Sequence, residues 1–196
     1  MKGKELAWTI LNSTQVADCR VFTVHRNLSQ RPRSNETYDF YVLRCPNWVQ
    51  VIPMTRAGEV LVIEQYRPGT DSVTLEVPGG IVDPEDESSE NAAIRELLEE
   101  TGYHAEKMIN LGRLYGNPAL QGNHCDVYLA ANIELVQEPN FDQIEEIESR
   151  LVPYDEIPDL IKSGAINHAL VIAAFHYLYL YEQSLLADSQ SSNITR

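Results

Sequence analysis

Positive charge is scarce in this chain: 15 Lys and Arg stand against 29 Asp and Glu, a formal charge of −14 over 196 residues. A protein that coats a nucleic-acid backbone draws on clustered Lys and Arg to displace counterions from phosphates, so that class is excluded. Any phosphate ligand would need borrowed positive charge. Cysteine is scarcer still. Cys19, Cys45 and Cys125 are odd in number and show no C-x-x-C spacing, which argues against a disulfide framework or a zinc site and for buried free thiols in a reducing compartment. Long apolar runs are missing too: the most apolar stretch, Ala169 to Tyr181, includes His176 and falls short of the ~20 residues that a bilayer span requires. The segment Leu6 to Leu11 carries Thr9 and runs into Asn12 and Ser13 without the apolar core of a signal peptide. Neither nucleic acid nor membrane is expected as a partner, and the expected location is cytoplasmic.

What is present suffices for a packed core, since 43% of the residues are hydrophobic. The length suits one domain of ~150 residues with a small appendage. Up to Pro46, apolar stretches alternate with polar punctuation (WTIL, VFTVH, then YDFYVLR after a break at Arg31 to Glu36), the pattern of short strands and a hairpin. From Trp48, VQVIPMT and VLVIEQY flank a turn-like Arg56-Ala57-Gly58-Glu59 and predict an antiparallel pair. The strand-like VTLEV ends abruptly at Pro78-Gly79-Gly80. A helix is expected over Ser89 to Thr101, capped by Ser88 or Ser89 and terminated at Gly102. Further strands are expected near Ile109–Tyr115, Asp126–Ala130 and Glu148–Pro153, with helices over Asp155–Lys162 and Asn167 to about Leu186. The last residues, from Asp188, read as a flexible tail. Strands and helices mixed in this way predict a layered α/β fold without regular βαβ alternation.

The helix at Ser89 carries an electrostatic problem. At roughly 100° per residue, Glu96, Glu99 and Glu100 share one face, opposite Ile94, Leu97 and Leu98. Carboxylates at i, i+3 and i+4 repel by a few tenths of a kcal/mol per pair, and in the last turn each opposes the helix dipole by ~0.3 to 1 kcal/mol. Solvation on an exposed face is the bland explanation. The alternative is that hard divalent ions such as Mg²⁺ or Mn²⁺ sit among these oxygens, close to a glycine pair that lets backbone groups approach a ligand.

The stretch Gly80 to Tyr103 resembles a Nudix box, G-x5-E-x7-R-E-U-x-E-E-x-G-U, where U is bulky and apolar. Glu87, seven residues, Arg95, Glu96, Leu97, Glu99, Glu100, Gly102 and Tyr103 fit the second half. The first half departs from it: six residues, Ile81 to Asp86, separate Gly80 from Glu87 where the pattern has five, so Glu87 ranks below the helical glutamates. The likeness runs from Trp48 to Tyr181 and is nearest to the ADP-ribose and nucleoside-diphosphate-sugar pyrophosphatases, with Pro118 sixteen residues beyond Gly102 as a mark of the ADP-ribose group.

This resemblance implies an α/β/α sandwich around a mixed sheet (residues 46–187), preceded by a small antiparallel N-terminal sheet (1–45) that exchanges with a second subunit in a homodimer, and followed by the tail 188–196. It implies hydrolysis of a nucleoside diphosphate sugar such as ADP-ribose. In that reading Glu96, Glu99, Glu100 and the Gly80 backbone bind Mg²⁺ or Mn²⁺, and Glu145 orients or deprotonates the attacking water. Arg95 steadies the glutamates through Glu99 or the preceding loop, while Arg67, Gly80 and Pro118 meet the substrate. For Arg67 a structural ion pair with Glu64 or Glu76 competes. GDP-mannose, another nucleoside diphosphate or triphosphate, or a catalytically silent nucleotide-sugar-binding module are the alternatives. Trp8, Trp48, Tyr38, Tyr115 and His124 carry no assignment.

Overall fold

The computed structural model describes residues 4–141 and 146–194, and these divide into two compact units. The first, Met1–Pro46 with Tyr115–His124, is built on three antiparallel strands, β1 (Thr9–Asp18), β2 (Thr23–Gln30) and β3 (Thr37–Arg44). The polar run after Gln30 closes the β2–β3 hairpin, where the Arg31 N–H donates to the Glu36 carbonyl (2.9 Å) and the two side chains pair. Trp8 sets its edge against Tyr38 and Phe40. The segment 115–124 joins this unit through the Leu43 N–H, which donates to the Leu120 carbonyl (2.7 Å), and the Asn123 amide on the Pro46 carbonyl (3.0 Å). Every residue of β1 is exposed, Ile10, Leu11 and Val16 included.

The second unit is a mixed sheet between helices. Its strands are β4 (Trp48–Met54), β5 (Glu59–Arg67), β6 (Ser72–Glu76), β7 (Tyr103–Leu114), β8 (Cys125–Leu135) and β9 (Ile147–Pro153). The order is β6-β5-β4-β8-β7, with β9 antiparallel to β5; β4 and β8 are parallel and the other pairs antiparallel. Alternation of side chains along the strands sorts the core into two layers. Val49 and Val51 of β4 and Tyr128 and Ala130 of β8 pack on Ala92, Ala93 and Leu97 of helix α1 (Ser89–Thr101). Ile52 of the same β4, with Val127 and Leu129, belongs to a layer completed by Ile157 of α2 (Ile157–Ser163) and Val171, Ala174, Phe175 and Leu178 of α3 (Ala169–Ile194). The expected α/β/α arrangement with a mixed sheet is thus present, and the three-stranded antiparallel sheet is separate from it.

Three expectations need correction. The strands β7 and β8 are longer than the apolar runs at Ile109 and Asp126, because β7 starts directly after the Gly102 terminator and its polar residues His104 and Lys107 pair with β8. The helix expected over Asp155–Lys162 begins as a 3₁₀ turn, Tyr154–Glu156, and becomes α-helical at Ile157. The helix expected from Asn167 to about Leu186 runs from Ala169 to Ile194, since no Gly or Pro interrupts the chain between those two residues. Among the described residues no helix is long and apolar enough to cross a membrane.

Candidate active site

The site is assembled where β6 runs into Pro78-Gly79-Gly80 and meets α1. After β6 leaves β5, residues 78–80 join β4: the Val51 N–H donates to the Pro78 carbonyl (2.8 Å), the Val49 N–H to the Gly80 carbonyl (2.9 Å) and the Gly80 N–H to the Val49 carbonyl (3.1 Å). Both glycines are required by close approach. A Cβ on Gly79 would lie 2.3 Å from the Val49 carbonyl oxygen, and one on Gly80 2.3 Å from Glu96 Oε1.

Helix α1 brings the carboxylates to this turn. Ser88 caps it in an extended conformation (φ −156°, ψ 162°), its hydroxyl accepting from the Asn91 N–H, and Gly102 ends it in the left-handed region (φ 74°), its N–H on the Leu98 carbonyl. The acidic face is not a solvated one. Glu100 is 3% exposed and its Oε2 accepts from the Gly79 N–H (2.9 Å), while the Glu96 side chain is 13% exposed and the Glu99 side chain 43%.

Arg95 holds this face together. Its Nε donates to Asp86 Oδ1 (3.2 Å), Nη1 to Glu96 (3.0 Å) and Glu99 (3.1 Å), and Nη2 to the Ile81 carbonyl (2.9 Å) and Asp86 Oδ2 (2.8 Å). A guanidinium has five N–H donors, and each has a place in this set. Both contacts expected of Arg95, to Glu99 and to the preceding loop, are made at once. Its hydrogen bonds to Asp86 raise the Arg95 pKa further, against the effect of burial, with Glu96 and Glu99 adding to the rise; the same bonds lower that of Asp86.

Asp86 was invisible to a pattern that asks for glutamate. It stands after five residues from Gly80, the spacing of the Nudix box, and it rather than Glu87 carries the bidentate contact to Arg95. The extra residue therefore falls between Asp86 and the helix. The loop is closed on itself by the Asp83 N–H on Asp86 Oδ2 (2.9 Å) and the Asp86 N–H on the Asp83 carbonyl (3.0 Å).

A second buried carboxylate, Glu76 at 1% exposure, ends β6. Arg67 donates to it twice (2.9 and 3.0 Å), Thr74 donates through its hydroxyl (2.6 Å), and His168 Nδ1 lies 2.8 Å from Oε2. The ion-pair reading of Arg67 thus describes its geometry, with Glu76 as the partner. Burial alone would raise the Glu76 carboxyl, but the hydrogen bonds from His168, Arg67 and Thr74 and the Arg67 charge outweigh it and hold it at about 2. Arg67 and His168 line a cavity of about 400 Å³ that also reaches Gly79, Gly80, Trp48 and Gln50.

Pro118 is in the first unit, in a turn where the Leu120 and Gln121 N–H groups donate to the Asn117 carbonyl. Glu145 lies outside the described residues. Among the described residues no three His, Cys, Asp or Glu side chains are arranged around a metal position: Arg95 spans Glu96 and Glu99, and Glu100 is on the Gly79 N–H. The donor set is nonetheless all oxygen, crowded into one helical turn and facing a glycine that admits Glu96 at close range, which suits a hard divalent cation.

Residues 47–175 match the NUDIX domain. The chain belongs to the Nudix family. Among its relatives are the ADP-ribose pyrophosphatase of Bacillus subtilis (strain 168), 29% identical over 142 residues, which cover 72% of this chain and 76% of that protein. The ADP compounds hydrolase NudE of Escherichia coli (strain K12) is 28% identical over 167 residues, 85% of this chain and 88% of its own length. A crystal structure of an ADP compounds hydrolase superposes with a TM-score of 0.81 at 25% identity, covering 91% of this chain and 95% of the other. The chain is therefore a Nudix pyrophosphohydrolase related to the ADP-ribose pyrophosphatases, a family that acts on nucleoside diphosphate derivatives and generally requires a divalent metal.

Two outcomes follow from this geometry. Because the folded chain holds Glu76 at about 2 against the usual 4.5, the unfolded chain takes up the proton first as pH falls. Stability from this carboxylate is complete above about pH 4.5 and declines by roughly 3 kcal/mol toward pH 2. Urea midpoints measured across this window should fall steeply in the wild type and less in Glu76→Gln. Separately, Gly79→Ala meets backbone and should lower stability by about 1–3 kcal/mol, whereas Gly80→Ala meets only the Glu96 carboxylate. The latter should spare the unfolding midpoint more and cost activity instead, as paired denaturation and turnover measurements would show.

Proposed function

We propose that this Nudix hydrolase cleaves the pyrophosphate bond of ADP-ribose or a related nucleoside diphosphate sugar into a nucleoside monophosphate and a sugar phosphate. The observation that carries the reading is the burial of Glu100 beside Glu96 on one helical turn, in a chain that has the full box from Arg95 to Gly102. Carboxylates kept from water at mutual repulsion are costly, and the arrangement makes sense when cations join them to a diphosphate. ADP compounds are what the named relatives act on.

Water adds to one phosphorus, the bridging P–O bond breaks, and the proton of the water passes to a carboxylate. Glu96, Glu99, Glu100 and the Gly80 backbone would hold Mg²⁺ or Mn²⁺, which would supply positive charge against the phosphates and acidify the attacking water. Glu145, assigned from the resemblance, accepts the proton. Arg95 fixes the spacing of Glu96 and Glu99 while tying α1 to the loop after Gly80. Arg67 is oriented by Glu76 on the cavity wall and presents a fixed guanidinium toward the substrate. Pro118, the mark of the ADP-ribose group, is assigned to the substrate from the resemblance alone.

Purified protein with Mg²⁺ and ADP-ribose should release AMP, and Glu100→Gln should slow release by roughly a hundredfold or more while the protein stays folded. Binding without metal-stimulated product would reject the enzyme in favour of a silent binding module; faster turnover of GDP-mannose would reject the ADP-ribose assignment. The reading includes a homodimer formed through the N-terminal strands, supported by the fully exposed β1 with Ile10, Leu11 and Val16 at its surface. Sedimentation should give twice the 22.2 kDa chain mass, and a monomer mass at working concentration would remove the dimer.

A further inference from the structure

Gln50 stands at an anomalous place in β4. Its neighbours Val49 and Val51 face α1, so the pleat turns Gln50 to the opposite side with Ile52, where the rest of the layer is apolar. It is 6% exposed, and its Oε1 has no hydrogen-bond partner although it is buried. A buried amide oxygen without a partner is costly to fold, and an apolar residue of similar volume would avoid that cost. Such a group is economical to keep when a ligand completes it.

The surroundings define the ligand. Gln50 lines the cavity of about 400 Å³ that touches the Gly79–Gly80 turn, and its other walls include Trp48, Val77, Cys125 and Leu170. Burial pushes the Cys125 thiol up to about 12, with the Asp126 charge adding to the rise, so this wall stays neutral at physiological pH. Arg67 and His168 are the charged or titratable part of the lining and suit the phosphates, while the aromatic and aliphatic walls with one amide suit a flat ring with polar atoms at its edge. A primary amide offers an acceptor and a donor side by side. Adenine offers the reverse pair at N6 and N7, an amino donor beside a ring-nitrogen acceptor, whereas guanine and hypoxanthine present two acceptors there, O6 and N7, which the amide cannot satisfy together in either orientation.

We propose that Gln50 is the base-reading residue of this chain, selecting 6-aminopurine nucleotides by a paired hydrogen bond in the cavity beside Gly79 and Gly80. This deepens the function proposed above and rests on it, since it assigns the nucleoside end of the same substrate.

The test separates the two. Binding of AMP and of IMP, which differ in the 6-substituent and the adjoining ring nitrogen, is measured by calorimetry on the full wild-type chain and on Gln50→Leu. Hydrolysis of ADP-ribose by the same wild-type preparation is followed in parallel. AMP should bind the wild type about tenfold or more tightly than IMP, and the ratio should fall to near unity in Gln50→Leu. If that variant does not fold, Gln50→Asn, which keeps the amide but withdraws it by one methylene, should show the same collapse. Equal binding of AMP and IMP by the wild type, binding of neither, or a preference that survives the substitution would each overturn the role of Gln50. Absence of ADP-ribose hydrolysis with an intact AMP preference would instead overturn the proposed reaction.

Discussion

The convergence of Asp86, Glu96, Glu99 and the Ile81 carbonyl on the guanidinium of Arg95 is the contact on which the site depends. Left to themselves, acidic side chains in the last turns of α1 would repel one another and the negative end of the helix. A planar cation with donors in fixed directions lets them sit close in defined positions, which a lysine with its single ammonium centre could not do. The same contact ties the helix to the loop that follows the glycine pair, so the helical carboxylates and the Gly80 backbone are held in one frame. A functional site built on rigid elements gains precision from such support.

The second constraint is spatial. At Gly79 and Gly80 the backbone is squeezed between β4 on one side and Glu96 on the other, and a side chain at either position would displace backbone or carboxylate. The Gly79 N–H is thereby free to face Glu100. Beside this turn, Glu76 is stabilised as an anion in the interior by three side chains, one of which, Arg67, is also on the cavity wall. Buried charge here is matched donor for acceptor, as a low-dielectric interior demands.

Much of this was legible in the sequence where local chemistry determines structure. The span of α1, its Ser88 cap and its Gly102 terminator follow from residue types alone, and the abrupt end of β6 follows from Pro78. The box identified the family because its residues carry chemistry at fixed helical spacing. Long-range pairing was not legible: nothing local says that β9 lies along β5 or that residues 78–80 pair with β4. The pleat of a single strand says that Gln50 faces away from Val49 and Val51, but not that a cavity lies on that side. The full length of α3 was not legible either, since polar residues without Gly or Pro extend a helix that the preceding apolar residues have already nucleated. Asp86 is not legible from the motif, because the pattern specifies glutamate and Glu87 one position later meets that specification.

That adjacent pair of acids has an evolutionary side. Loops commonly tolerate gained or lost residues because little else packs on them, but a loop that must return an anion to a fixed cation has few acceptable lengths. With Asp86 and Glu87 consecutive, the chain holds two candidates for the one berth at Arg95, and the shorter side chain has taken it. Duplicated acidity of this kind would let an insertion arise without an inactive intermediate, so that the spacing of the signature drifts while the contact it encodes persists.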